Sequence, residues 1–456
     1  MPTREYNFDG LVGPTHNYAG LARGNIASSI HAGEISNPRR AALEGLEKMK
    51  LVAGLGAGQA VLPPQPRPSL RTLRALGFHG SDEEILSRAA REHPLLLRLC
   101  SSAAAMWCAN AATCAPSEDT LDGKMHITAA NLNSMFHRSI ETDVTHAVLR
   151  RIFADDRRFS VHAPLPGGGQ FGDEGAANHT RLKAEERPAV HLFAWGRSTY
   201  REVLGPLKFP ARQSLEASEA LARLHRLDPA RCLFPQQAPA GIDAGAFHSD
   251  VLAVGNRSFL MLHERAFSDP GAVLTSLREK LGDSFTHALA RESDVPVEAA
   301  VAAYPFNSQI ISVSDQSMVI LAPRESEQLE AARRFLERVV AEQNPVGAVQ
   351  YLDVRQSMRN GGGPACLRLR IWLTDEEVAA LGANVLFTAA LHDQLAAWVN
   401  RHYRDRLVPE DLGDPQLARE SMAALDELTR ILNLGSVYDF QQADASSSKT
   451  AKDERP

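Results

Sequence analysis

Apolar positions recur along this chain in two rhythms, one helical and one of short strands. Asn37-Pro38 offers an N-cap and a first-turn proline, Leu43, Leu46 and Met49 follow at three-residue spacing, and Gly54 and Gly56 end the run. That pattern predicts a helix. The stretch from Ser214 to Leu227 predicts another, with Ala217, Leu221 and Leu224 on one face and Glu219 four residues before Arg223. A third runs from Ser326 to Glu342, with Leu329, Ala332, Leu336 and Val339 turned inward.

Hairpins lie between the helices, and two of them echo each other. Phe247 to Leu262 aligns without gaps on Phe306 to Leu321, an offset of 306 − 247 = 59 residues. Each half reads as strand, two-residue turn and strand, with Gly255-Asn256 and Ser314-Asp315 at the turns, followed by a helical stretch. A supersecondary unit repeated at this spacing suits a propeller or an array, and two unrelated hairpins are the bland alternative.

With 456 residues, 44% of them apolar and 23% charged, the chain can bury a large core. No Gly/Ser/Pro linker divides its interior, so residues 1–440 read as one α/β catalytic domain, and 441–456 have the composition of a disordered tail. Lys and Arg number 49 against 55 Asp and Glu, a net charge of −6 that argues against nucleic acid or an acidic membrane as partner. The most apolar stretch, Leu95 to Ala115, is interrupted by Arg98, Ser101, Ser102, Asn110 and Thr113 and falls short of a bilayer span. The N-terminus lacks a secretory signal's apolar run, which makes the cytoplasm the default location. Five cysteines (Cys100, Cys108, Cys114, Cys232, Cys366) show no Cys-x-x-Cys spacing and suit neither a disulfide framework nor a metal site.

Four segments are richer in polar and glycine residues than turns require: Asn7 to Asn25, Gly172 to His179, Phe247 to Asp250, and Asn360 to Cys366. Cys366 follows Gly361-Gly362-Gly363-Pro364-Ala365 and precedes a predicted strand. It reads either as an exposed nucleophile on a held backbone or as a small buried hydrophobe. His248 and Asp250 stand at i and i+2 at the head of a predicted strand, pointing to one side as acid/base and cation-binding carboxylate, or as a hydrated strand end. Glu174 lies in a glycine-flanked acidic loop, where it can orient a histidine or simply fill a turn. The glycine triplets fit neither GxGxxG nor GxxxxGK[ST], and the sixteen histidines include no HExxH, so nucleotide and metal sites lack support.

These segments resemble the N-succinylarginine dihydrolase family of the guanidine-modifying, or pentein, superfamily. The resemblance runs from Asn7-Phe8-Asp9-Gly10 to Gly435-Ser436-Val437-Tyr438, through Gly172-Asp173-Glu174-Gly175, Phe209-Pro210-Ala211-Arg212-Gln213 and Asn360 to Arg370. It implies a five-bladed, pseudosymmetric α/β propeller (the pentein fold) built from ββαβ-type units. It further implies hydrolysis of N2-succinyl-L-arginine to N2-succinyl-L-ornithine, two ammonia and carbon dioxide, in arginine catabolism by the succinyltransferase pathway, in a cytoplasmic homodimer without cofactor or metal. By matching motif, Cys366 would be the nucleophile, His248 the proton shuttle and Glu174 the carboxylate that positions histidine and substrate. The substrate pocket would be lined by Ala19, Gly20, Leu21, Ala22, Arg23, Gly24, Asn25, Ile26, Ala27 and Ser28, with Asn110, His137, Arg138, Arg212, Asp250 and Asn360.

A guanidinium is a delocalised cation that resists attack by water, so its site needs carboxylates to hold the charge and a thiolate to attack the carbon. On this reading Asp250 and Glu174 grip the cation, charged His248 favours the Cys366 thiolate, and Arg212 and Arg138 take the substrate's two carboxylates. A non-catalytic sensor of arginine derivatives and a cysteine amidase using the Gly361 to Gly363 backbone as oxyanion donors stay open at this level.

Overall fold

The computed structural model describes residues 3–185, 187–203 and 208–442. Strands β1 (Arg4–Gly10) and β2 (Gly58–Leu62) run parallel. Next come β3 (Ala112–Ala115), β4 (Met125–Ala129) and β5 (Phe159–His162), then β6 (His179–Leu182), β7 (Val190–Phe193) and β8 (Cys232–Leu233). The last two sets are β9 (Ala253–Asn256), β10 (Phe259–His263) and β11 (Thr286–Ala290), and β12 (Gln309–Ser312), β13 (Met318–Pro323) and β14 (Val346–Leu352). A final strand, β15 (Arg368–Leu373), returns antiparallel onto β1 and completes the first sheet.

Five three-stranded sheets result, each with one connectivity. A first strand pairs antiparallel with a second, and the second pairs parallel with a third. The parallel step needs a crossover, and a helix supplies it in every blade: Pro38–Gly54, Thr142–Ile152, Leu215–Leu224, Pro270–Leu281 and Glu330–Ala341. This is the ββαβ propeller that the resemblance implied. The first strands meet around the axis, β15 beside β3 and β9 between β6 and β12. Middle strands are covered on both faces, so Phe8, Ile127, Leu192, Leu260 and Ile320, one from each blade, share a single apolar core.

The helix at Pro38 forms as expected, its N-cap Asn37 accepting from Arg40 N at 2.8 Å. The second starts on its Ser214 cap but stops at Leu224, and Glu219 lies nearer Arg201 (3.0 Å) than Arg223 (4.0 Å). The third is two helices, Arg324–Gln328 and Glu330–Ala341. Leu329, expected to face inward, is the extended joint between them (φ −88°, ψ 111°), because Ser326 donates to Ala303 O and docks the short helix separately.

The repeat is real, with a different register. β9 maps onto β12 at 309 − 253 = 56 residues and β10 onto β13 at 318 − 259 = 59, since the connecting loop has two residues in one blade and five in the other. Gly255-Asn256 is therefore strand and Arg257-Ser258 is the turn. The Asn256 amide is buried and bonds Glu5 and Ile310 O, which holds it inside the sheet. Gln441, where the tail was expected to begin, bonds Asp426 and Thr429, while 443–456 lie outside the described residues.

Candidate active site

Cys366 sits in the turn that leads into β15. The helix Arg355–Asn360 ends at Gly361, whose φ of +88° and whose approach to Asn25, 1.9 Å from a built Cβ to Oδ1, exclude any side chain there. The Asn307 side chain accepts from Gly363 N (3.0 Å) and Cys366 N (3.4 Å) and donates to Asp250 O (3.1 Å). One amide thus fixes both the Cys366 turn and the Asp250 turn. Cys366 is not exposed as the junction suggested; only 4% of it is accessible.

His248 and Asp250 do not head a strand. His248 is extended (φ −130°, ψ 156°) and Asp250 lies in the 3-10 turn Ser249–Val251, so the two point to different partners. Asp250 Oδ2 lies 3.6 Å from Cys366 Sγ, and its Oδ1 is buried without a partner. His248 Nε2 meets Glu174 Oε2 at 2.7 Å, while Nδ1 is buried and unpartnered. Arg138 Nη1 donates to the same Glu174 oxygen at 2.7 Å, and Ser134 Oγ bonds the other one. Asn110 and Gln213 hold the Glu174 backbone, through its O and N respectively, at 2.7 Å each.

These contacts revise two expected roles. Glu174 spends most of its acceptor capacity on Arg138, His248 and Ser134, which leaves Asp250 as the principal carboxylate for a cation. Arg138 is first of all the counter-ion of Glu174, with Nε and Nη2 unpartnered. Arg212 is freer: it is 1% exposed, stacks 4.4 Å over the Phe247 ring, donates to Arg23 O at 3.1 Å and keeps Nε unpartnered. His137 is buried beside Arg138 on the short helix Phe136–Ser139.

The segment from Ala19 to Ser28 closes over these groups. Arg98 donates to Ala19 O at 2.6 Å, Arg212 holds Arg23 O, and Asn25 donates to Asn360 O at 3.1 Å while capping the helix Ile26–Ile30. Asn360 in turn donates to Asn17 O at 3.2 Å. The Arg23 side chain is exposed and reaches Lys208 O, and Ile26 is 38% exposed, so neither side chain faces the buried groups. Gly20 and Gly24 take positive φ, +63° and +90°.

Electrostatics follow from burial. Burial alone would raise the Glu174 carboxyl, but Arg138, His248 and Arg212 overcome it and hold it well below the usual range. Burial pulls the His248 imidazolium down to about 4 despite Glu174, and pushes Asp250 up to about 7. Burial and Asp250 together push the Cys366 thiol well above its usual value. These shifts favour a thiol at Cys366 and a neutral imidazole at His248, so the thiolate and imidazolium expected from sequence depend on the positive charge of a bound cation. Asn307, Ser134 and Gln213 are the functional residues that sequence reasoning missed. Only the echo of Phe247-His248 in Phe306-Asn307 pointed towards the first of them.

Comparison with known proteins fits this geometry. The model of the succinylarginine dihydrolase family matches residues 2–441. The N-succinylarginine dihydrolase of Myxococcus xanthus (strain DK1622) is 67% identical over 439 residues, 96% of this chain and 100% of that protein. That of Nitrosospira multiformis is 55% identical over 446 residues, 97% of this chain and 100% of its own length. Among solved structures, the product-bound N-terminal domain of ArgZ, an arginine dihydrolase from the ornithine-ammonia cycle in cyanobacteria, overlaps 81% of this chain and 97% of that one at 14% identity, TM-score 0.48. That likeness is distant, and the family assignment stands on the sequence matches. With the family model spanning nearly the whole chain and relatives 55–67% identical over their full length, the chain belongs to the succinylarginine dihydrolase family.

Proposed function

We propose that this protein hydrolyses N2-succinyl-L-arginine to N2-succinyl-L-ornithine, two ammonia and carbon dioxide through a covalent Cys366 intermediate. The observation that carries the reading is the 3.6 Å contact between the Cys366 thiol and the half-free Asp250 carboxyl. A guanidinium bonded to Asp250 places its carbon within reach of sulfur and brings the positive charge that the buried thiol lacks. Its arrival lowers both the Asp250 and the Cys366 pKa, so substrate ionises its own nucleophile.

The Cys366 proton passes to His248, whose Nε2 is committed to Glu174 and whose Nδ1 is free. Sulfur bonds the guanidinium carbon, and the C–N bond to one terminal nitrogen breaks as His248 returns the proton to the departing ammonia. Water, deprotonated by neutral His248, adds to the thioether-linked amidine. The adduct expels the second ammonia and leaves an S-carbamoyl enzyme. A second water releases a carbamic acid, which loses carbon dioxide to give the amine. Arg212, buried with its Nε unpartnered and its Nη2 donating to Arg23 O, suits a substrate carboxylate.

Residues 1–440 form one catalytic propeller on this proposal, and the protein acts as a cytoplasmic homodimer on arginine drawn into the succinyltransferase route. Among the described residues no helix is long and apolar enough to cross a membrane. Purified protein incubated with succinylarginine and with free arginine tests the reaction. Two ammonia per succinylornithine, with free arginine inert, is the expected result. A ureido compound as sole end product, with one ammonia, would overturn the second half of the scheme.

A further inference from the structure

Behind Asp250, on the propeller axis, the first strands enclose a cavity of about 60 Å³. Arg181, Asp250, Ala365, Arg368, Arg370 and Trp372 are among the residues that wall it. Two of its three arginines are neutralised. Arg181 forms ion pairs with Asp119 and Glu118, and Arg370 lies 3.3 Å from Glu5 and donates to Gly255 O and Ile310 O. Arg368 is different. It is 8% exposed, its Nε has no partner, and its guanidinium makes no hydrogen bond and no ion pair among the described residues.

A guanidinium keeps its charge under ordinary conditions, and burying one with no carboxylate in direct ion-pair contact is costly. Burial and Arg370 pull Arg368 down to about 9, while Glu5, Asp250 and Asp9 act against the shift from beyond ion-pair distance. Such a side chain beside a cavity is a prepared site for an anion. The volume admits about two to four water molecules, on the scale of a planar anion with three oxygens and too small for an amino acid. Its position narrows the class further, since Asp250 is shared with the reaction pocket and Ala365 precedes the nucleophile.

We propose that the Arg368 cavity binds a small planar oxyanion, and that its resident is bicarbonate, formed when the released carbon dioxide adds a water and gives up a proton to solvent. The identity of that resident rests on the reaction proposed above; the anion site itself does not. Bicarbonate then has a place at the axis against Asp250, in a cavity that the Ala19 to Ser28 segment does not line.

The test uses folded Cys366→Ser protein, which cannot turn over. ¹³C-bicarbonate is titrated at pH 8 and its line width followed, with nitrate, a planar oxyanion that no step produces, as competitor. Saturable broadening, displaced by nitrate, is expected. It should weaken about 10-fold or more with Arg368→Gln added and largely recover with Arg368→Lys, which keeps the charge. Absence of saturable broadening, or equal broadening in Arg368→Gln, overturns the site. Should Arg368→Gln fail to fold by circular dichroism, a nitrate-soaked crystal of the Cys366→Ser protein decides: an anion against Arg368 supports the proposal, and water alone there overturns it. Bicarbonate binding more tightly than nitrate supports the product as resident, and nitrate binding equally well overturns that part while leaving the oxyanion site. A failed ammonia count would overturn the reaction without touching either titration.

Discussion

Asp250 sets the charge balance of the reaction pocket. Its carboxyl, pushed up to about 7 by burial, loses its proton in the neutral range, whereas the guanidinium needs the carboxylate. The sign is therefore fixed. As pH falls below 7 the free enzyme's Asp250 becomes neutral, the cation loses its partner, and kcat/KM declines towards about tenfold per pH unit. His248, pulled down to about 4, stays neutral over the same window and adds no limb of its own. We expect kcat/KM for succinylarginine to show an acid limb near pH 7 that vanishes in Asp250→Asn, with the plateau about 100-fold or more lower. The same limb surviving in the Asn variant would assign it to another group. At this scale residue types and glycine-rich surroundings singled out Cys366, His248, Asp250 and Glu174 beside bland alternatives, and the family resemblance supplied their roles. The sequence concealed the groups that hold them. Asn307 lies 59 residues from Cys366, and Ser134 lies 40 from Glu174. A side-chain amide bonded to a distant backbone has no local pattern to betray it.

The segment from Ala19 to Ser28 is held over the Cys366 turn by bonds from Arg98, Arg212 and Asn25, and as a lid it would govern access on the proposed function. A Cβ on Gly20 would meet Ala32 at 2.4 Å in the closed position, so that position is open to glycine alone. Closure is held by few bonds, and Asn25 supplies several: Oδ1 caps Ser28 N at 3.0 Å and Nδ2 reaches Asn360 O at 3.1 Å. Losing them weakens closure by about 1–3 kcal/mol. Asn25→Ala should accordingly raise KM about 5- to 100-fold while kcat stays within about threefold, because the chemical groups are untouched. Trypsin should also cleave faster after the exposed Arg23, and a variant with unaltered KM and unaltered cleavage would show that Asn25 does not hold the loop. Elements were legible where period and caps agreed, as at Asn37-Pro38. They were misread where tertiary bonds overrode the pattern. Asn256 looked like a turn residue and is a buried strand residue, and the continuous period across Leu329 conceals a joint fixed by Ser326.

The ring as a whole is closed by the two ends of the fold. β15, which begins two residues after the nucleophile, is held by β1, and Asp9 pairs in register with Arg368. Glu5 bonds Asn256 across the axis, and Asn7 accepts from Gln309, so β1 also binds the blades of β9 and β12. Opening the first blade must then dismantle the Cys366 turn and its neighbours together. Phe8, wholly buried in the middle strand of that blade, tests this. Phe8→Ala should destabilise the protein by about 3–5 kcal/mol through lost burial and the cavity left behind. Because the closing blade carries Cys366, the proposed nucleophile, the midpoint for loss of activity and the midpoint for loss of ellipticity should fall together on heating, with one transition in each. If activity disappears well before the ellipticity changes, the closing blade opens alone, and the ring is a chain of separable units in which the site depends on local strand pairing instead of on closure.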